Sequence, residues 1–132
     1  MEDGIVTDKQ ILTTSSSGIG YTTGAGSTVT QQTNRTTAVT INAICGAITT
    51  NNASLAAEGT ADFTVNNSRV AIDDVVAVSV RSGSNGGGTI VSVIGVAAGS
   101  FTIRVHNGNV AAGTAETGAI VINFAVIKAV SA

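Results

Sequence analysis

The run Gly118–Ile127, reading Gly-Ala-Ile-Val-Ile-Asn-Phe-Ala-Val-Ile, limits what this chain can fold into more than any other stretch. Its β-branched and aromatic residues suit a pleated, packed surface. At period two, Ile120, Ile122, Phe124 and Val126 line one face, and Val121, Asn123, Ala125 and Ile127 line the other. A strand with one wet face alternates apolar with polar residues, whereas this one is apolar on nearly both. The first face is expected to fill the core of a sandwich. The second needs its own cover: a terminal arm, a neighbouring subunit or a larger assembly.

The same period recurs upstream. Val39, Ile41 and Ala43 share a face within Thr36–Ile44, and Gly46–Thr50 continues after a kink. Ala61, Phe63 and Val65 share one within Thr60–Asn66, as do Val76, Val78 and Val80 within Asp74–Arg81, Ile90 and Ile94 within Gly88–Val96, and Phe101, Ile103 and Val105 within Ser100–His106. Turn chemistry separates these runs. Ser82–Gly87, Ser-Gly-Ser-Asn-Gly-Gly, reads as a hairpin loop that sends Gly88–Val96 back along its predecessor. Ala97-Ala98-Gly99 reads as a turn, Asn107–Gly118 as a loop, and Asn51–Gly59 as a loop with one helical turn at Ser54–Glu58. With the short strand Ser27–Gln31, the count is about eight strands and no amphipathic helix. The expected fold is all-β, a β-sandwich or jelly roll with an extended N-terminal arm.

Residues 1–26 are expected to form that arm, and residues 27–132 the domain. The arm carries two apolar pairs, Ile5-Val6 and Ile11-Leu12, then the polar run Thr13–Gly26 with the chain's single tyrosine, Tyr21. A plain linker has no use for apolar pairs, so they read as pegs that dock on a partner. Ile5, Val6, Ile11, Leu12, Tyr21, Val121 and Ile127 are therefore the candidate assembly-interface residues.

Charge supports a covered surface. Charged residues make up 11% of the 132, against about 25% in ordinary domains. A net charge of −2, with Arg35, Arg69, Arg81 and Arg104 scattered along the chain, gives no footprint for nucleic acid. No apolar run reaches the roughly 18 residues of a membrane span, and the acidic start Met1-Glu2-Asp3-Gly4 does not resemble a signal peptide. Neither a nucleic-acid nor a membrane partner is expected, and synthesis in the cytosol is.

Candidate chemistry is thin. Gly18-Ile19-Gly20-Tyr21-Thr22-Thr23-Gly24 is one residue off the dinucleotide fingerprint, but the next element, Ser27-Thr28-Val29-Thr30, is a strand former rather than the helix that motif needs. His106, the only histidine, reads as a surface residue at a strand end, and Asp73-Asp74 as strand-start chemistry. Cys45 is alone and reads as a buried thiol, with no disulfide or cysteine metal site. The three phenylalanines, Phe63, Phe101 and Phe124, fall on core faces, leaving no aromatic platform for a sugar or a base. No catalytic residue, cofactor, metal or small-molecule ligand is expected.

Five stretches together resemble small all-β virion proteins of tailed bacteriophages. They are Gly20–Gln31 (Gly-Tyr-Thr-Thr-Gly-Ala-Gly-Ser-Thr-Val-Thr-Gln), Thr36–Asn42, Cys45–Thr49, Ala97–Phe101 and Asn123–Val130. The first and last are the most specific, and the resemblance covers roughly Ile19–Ala132. It implies a non-enzymatic head decoration, or cement, protein: a homo-oligomer, with a trimer favoured, that bridges neighbouring copies of the major capsid protein. Its location would be the capsid surface of the virion, after synthesis in the bacterial host cytoplasm. The alternative is a tail-fibre or receptor-binding module that presents Ser82–Gly88 and Asn107–Gly118 to a bacterial surface sugar.

Overall fold

In the computed structural model, which describes residues 12–132, the strands fall where the period-two runs lie. They are β1 (Gly26–Thr30), β2 (Val39–Thr40), β3 (Cys45–Thr49), β4 (Thr60–Asn66), β5 (Val75–Ser82), β6 (Thr89–Ala97), β7 (Ser100–Asn107) and β8 (Val121–Ile127). Two four-stranded sheets result, in the orders β1-β3-β8-β5 and β2-β4-β7-β6. Both are mixed, because β1 pairs parallel with β3 and β2 parallel with β4, while the other pairs are antiparallel. The protein is thus an all-β sandwich. No helix among the described residues is long and apolar enough to cross a membrane.

The inward faces of β2, β4, β7 and β8 are those the alternation marks; on β6 the marked pair Ile90 and Ile94 faces outward, and Val91, Val93 and Val96 pack on the core instead. Ile120, Ile122 and Val126 are fully buried and Phe124 nearly so. Facing them from the other sheet are Phe63, Val65, Phe101, Ile103 and Val105, also closed to solvent. Phe101 and Phe124 meet across the sandwich with ring centroids 5.7 Å apart and planes tilted by 48°, a tilted geometry that aromatic pairs favour.

Pairing differs from the expected hairpin. β5 does not pair with β6; it pairs with β8, and β6 pairs with β7. The glycine-rich loop after Ser82 therefore crosses from one sheet to the other. Its physical reason is a close approach rather than a tight turn: Gly83 has φ +86°, and a Cβ there would sit 2.0 Å from the Ala119 carbonyl oxygen. Only glycine allows that backbone conformation against that neighbour. The Ala97–Ser100 turn between β6 and β7 is the true hairpin, with Gly99 at φ +81°.

Two local expectations are corrected. Ser54–Glu58 makes no helical turn; Leu55 instead bridges Glu116 in antiparallel fashion, and Glu58 takes a positive φ of 60°. Cys45 is a half-buried free thiol outside the core, because its register opposite Ala125 places it on the outer face of the first sheet.

Candidate assembly surface and loop hub

The outer face of sheet β1-β3-β8-β5 is built from small and apolar side chains in register. Ile127 stands opposite Val75, Ala125 between Ala77 and Cys45, and Asn123 between Ser79 and Ala47. Ile127 and Val75 are each 54% exposed, and Val121 is half-buried at the far end of β8. The small residues between leave shallow hollows over Asn123 and Phe124, and Arg81 is the charged side chain at their border. The outer face of the other sheet is different in kind. There Asp62 and Arg104 form a bidentate ion pair at 2.8 Å, which holds the Asp62 carboxyl below its usual range through the arginine's hydrogen bonds. That face also carries Thr64, Thr102 and Ser92, with Ile90 and Ile94 exposed on β6.

The candidate interface residues divide. Tyr21 sits at the rim of the first outer face, where its hydroxyl donates to the Val126 carbonyl oxygen. That carbonyl lies beyond the start of β3, so the tyrosine supplies the partner the sheet lacks. Leu12 is 78% exposed and contacts no part of the core. Ile5, Val6 and Ile11 lie outside the described residues. The structure thus places Tyr21, Val121 and Ile127 on one sheet face and its margin, with Leu12 apart from it.

Sequence reasoning missed the most elaborate polar site, at the end of the sandwich where β3 and β5 finish and β4, β6 and β8 begin. Glu116 is fully buried. Its carboxylate accepts from the Ser84 and Thr89 hydroxyls at 2.5 Å each and from the backbone N–H of Asn85, Gly86 and Gly118 at 3.0, 3.0 and 2.8 Å. Burial alone would push this carboxyl up. The Ser84 and Thr89 hydroxyls and the N–H groups outweigh burial and hold its pKa down to about 2.

Arg35, also buried, donates to Thr50 Oγ1 at 3.2 Å and to the carbonyls of Ala53, Glu116 and Gly118. Burial lowers its pKa, and the charge of Glu116 partly restores it. Gln31 and Asn107, both buried, complete the hub: Gln31 binds the carbonyls of Arg35 and Thr37 and the N–H of Asn51, and Asn107 binds the carbonyls of Leu55 and Thr114. Every donor named here has its acceptor inside the protein, so the hub ties loops together rather than opening a site to a ligand. It also draws together Ser82–Gly88 and Asn107–Gly118: Asn85 and Thr117 exchange hydrogen bonds of 2.9 and 3.0 Å, and Asn109 donates to the Gly86 carbonyl. The one signal available in the sequence was that Glu116 is the sole charged side chain between Arg104 and Lys128.

The remaining acids stay apart. Asp74 precedes β5, capping the Ala71 N–H at 2.8 Å and pairing with Lys128 at 2.5 Å; those hydrogen bonds, Lys128 first, lower its pKa. Asp62 lies on the other sheet. Among the described residues no three of His, Cys, Asp and Glu gather as metal ligands would. His106 is half-buried on an outward face, with Nδ1 closed to solvent and unbonded.

No protein-family model matches the chain, and the searches of curated proteins and of solved structures likewise return no match.

Proposed function

We propose that this is a non-enzymatic structural protein of a tailed-bacteriophage particle, a head decoration protein that oligomerises and clamps neighbouring capsid subunits. The observation that carries the reading is the outer face of sheet β1-β3-β8-β5. Its Val75–Ile127 pair is half open to water over a floor of Ala77, Ala125 and Asn123, while the opposite outer face sets an ion pair and hydroxyls beside its own exposed Ile90 and Ile94. An apolar pair standing over small side chains, with no ion pair among them, suits burial against another chain. The sandwich shares its eight strands in two sheets with a jelly roll, and its parallel pairs β1–β3 and β2–β4 depart from that plan. Three copies is the number the resemblance favours.

Cementing works by adding contact area across a joint that internal pressure would open, and many weak copies act together. A rigid loop end suits that task, because ordering entropy is already spent before docking. The test compares shells with and without the protein under heat or osmotic shock by negative-stain imaging. Better survival of decorated shells supports the role, and equal survival removes it.

A receptor-binding or fibre module is the second reading, favoured by one observation: the hub presents the loops 83–88 and 108–118 side by side, with Val110 79% exposed at their tip. Copy number per particle, measured by gel densitometry, separates the two. Many copies fit decoration, and a handful fit a fibre.

A further inference from the structure

On one side of the sandwich, among the described residues, the two sheets come close to each other without hydrogen-bonding. β5 is an edge strand of one sheet and β6 of the other, and no ladder joins them. The register sets which β5 groups face outward. The Val126 N–H donates to the Ile44 carbonyl at 2.7 Å, on the β3 side of β8. Main-chain groups alternate sides along a strand, so Ala125 and Ile127 turn theirs toward β5, where Ala77 and Val75 stand opposite. Val76, Val78 and Val80 therefore turn their N–H and C=O to the open edge. Among the described residues, those groups form no hydrogen bond with any other element.

Proteins normally blunt such an edge with proline, charge, shortness or a bulge. β5 has little of this. The chain has no proline, Val75–Val80 carries no charge, and the β5 bulge comes only after Val80. β6, by contrast, is broken inside its span, between Val93 and Gly95, and the edges on the far side of the sandwich are short, β1 at 5 residues and β2 at 2.

We infer that the β5 edge pairs with β5 of a second copy, antiparallel about a two-fold axis at Val78, making one continuous sheet across two subunits. The valine spacing is symmetric about that point: Val78 meets Val78 of the second copy, and Val76 meets Val80 of the second copy. Each outward N–H and C=O then finds a partner. Val80, 37% exposed at the mouth of the core, is covered by the opposing valine. The charges also match. Arg81, at the β5 bulge, comes opposite the start of β5 of the second copy, near Asp73 in the turn that precedes that strand. Both are exposed, and among the described residues neither has an ion-pair partner. The pairing thus joins two unmatched charges at each end of the contact. It goes beyond the virion reading and does not rest on it, since a receptor-binding module would carry the same edge. Its two-fold symmetry departs from the three copies that the resemblance favours.

Sedimentation velocity of the full chain over a range of concentrations tests this. The expected result is a species of two-copy mass. Val78→Pro removes an outward N–H while leaving the β5–β8 ladder intact, so it shifts the profile to one-copy mass with the fold retained by circular dichroism. Val78→Ala, which keeps the N–H, retains the two-copy species. Arg81→Glu weakens the association and Asp73→Arg in the same chain restores it, a readout that stands even where the proline variant fails to fold. One-copy mass for the unmodified chain, a three-copy mass, or a two-copy mass indifferent to both Val78→Pro and the charge exchange overturns the inference.

Discussion

The Arg35 guanidinium donates to the main-chain carbonyl of Glu116, 81 residues further along, at 3.2 Å. Neither side chain sees solvent to any extent. Arg35 ties the loops after β1, β3 and β7; the Glu116 carboxylate ties the loops after β5 and β7. Two lone charges thereby hold one end of the sandwich together. Glu116→Ala leaves several buried donors without an acceptor, and a loss on the order of 3–5 kcal/mol is expected in urea unfolding. Glu116→Gln, which keeps one acceptor oxygen, loses less.

The same carboxylate sets an acid limit. Its folded pKa, about 2, lies below its ordinary value of 4.5. A depressed carboxyl contributes stability that is fully present above the unfolded pKa and is lost as pH falls through the folded one. Unfolding free energy should therefore decline from about pH 4.5 toward pH 2, with Asp62 and Asp74, also shifted down, adding to the decline. In Glu116→Gln the slope over that window is shallower. An identical slope would remove Glu116 from the account.

Asn85-Gly86 is a sequence prone to deamidation, in which the glycine nitrogen attacks the asparagine Cγ, ammonia leaves, and water opens the resulting succinimide. Here the Gly86 N–H is held by Glu116 at 3.0 Å, and the Asn85 amide is clamped to Thr117 at both its atoms. Peptide mapping after prolonged incubation at mildly alkaline pH should find Asn85 intact in the native protein and converted to aspartate and isoaspartate in the urea-unfolded chain. Equal conversion in both would show that the clamp is not closed in solution.

Strand positions were legible because alternation survives in the letters: Phe101, Ile103 and Val105 face in wherever β7 pairs. Pairing was not legible. Ser82–Gly87 has the composition of a hairpin loop, yet its role is to wrap Glu116, and that wrapping carries β6 into the other sheet. Glu116 and Arg35 belong to no motif, and their importance comes from burial, which a single sequence does not display. Tyr21 was read as a residue for meeting a partner, and its hydrogen bond to a carbonyl of its own chain, 105 residues away, was not legible.

Gly83 and Gly87 separate conformation from crowding within one loop. Both have positive φ, +86° and +77°, but an added Cβ meets the Ala119 carbonyl at 2.0 Å only at Gly83, and meets nothing at Gly87. Gly87→Ala should lose about 1 kcal/mol, the left-handed penalty alone. Gly83→Ala should lose distinctly more, on the order of 3 kcal/mol, since backbone must move. Thermal melts of the two variants check the order.

Phe101 and Phe124 join the sheets at a centroid distance of 5.7 Å. Either change to alanine should lose about 3–5 kcal/mol. A double-mutant cycle should return a coupling of roughly 0.5–1.5 kcal/mol beyond the separate losses. A coupling of zero would mean that the rings share a core without contributing to each other.

The Val75–Ile127 face as an assembly surface is the central claim. Hydroxyl-radical footprinting of the isolated protein and of intact particles carrying it addresses that claim directly, because side-chain oxidation reports exposure residue by residue. Val75 and Ile127, each 54% exposed in the single chain, are predicted to become protected in the particle, while Ile90, 60% exposed on the opposite sheet, stays reactive. Oxidation of Val75 and Ile127 to the same extent in both samples would contradict it.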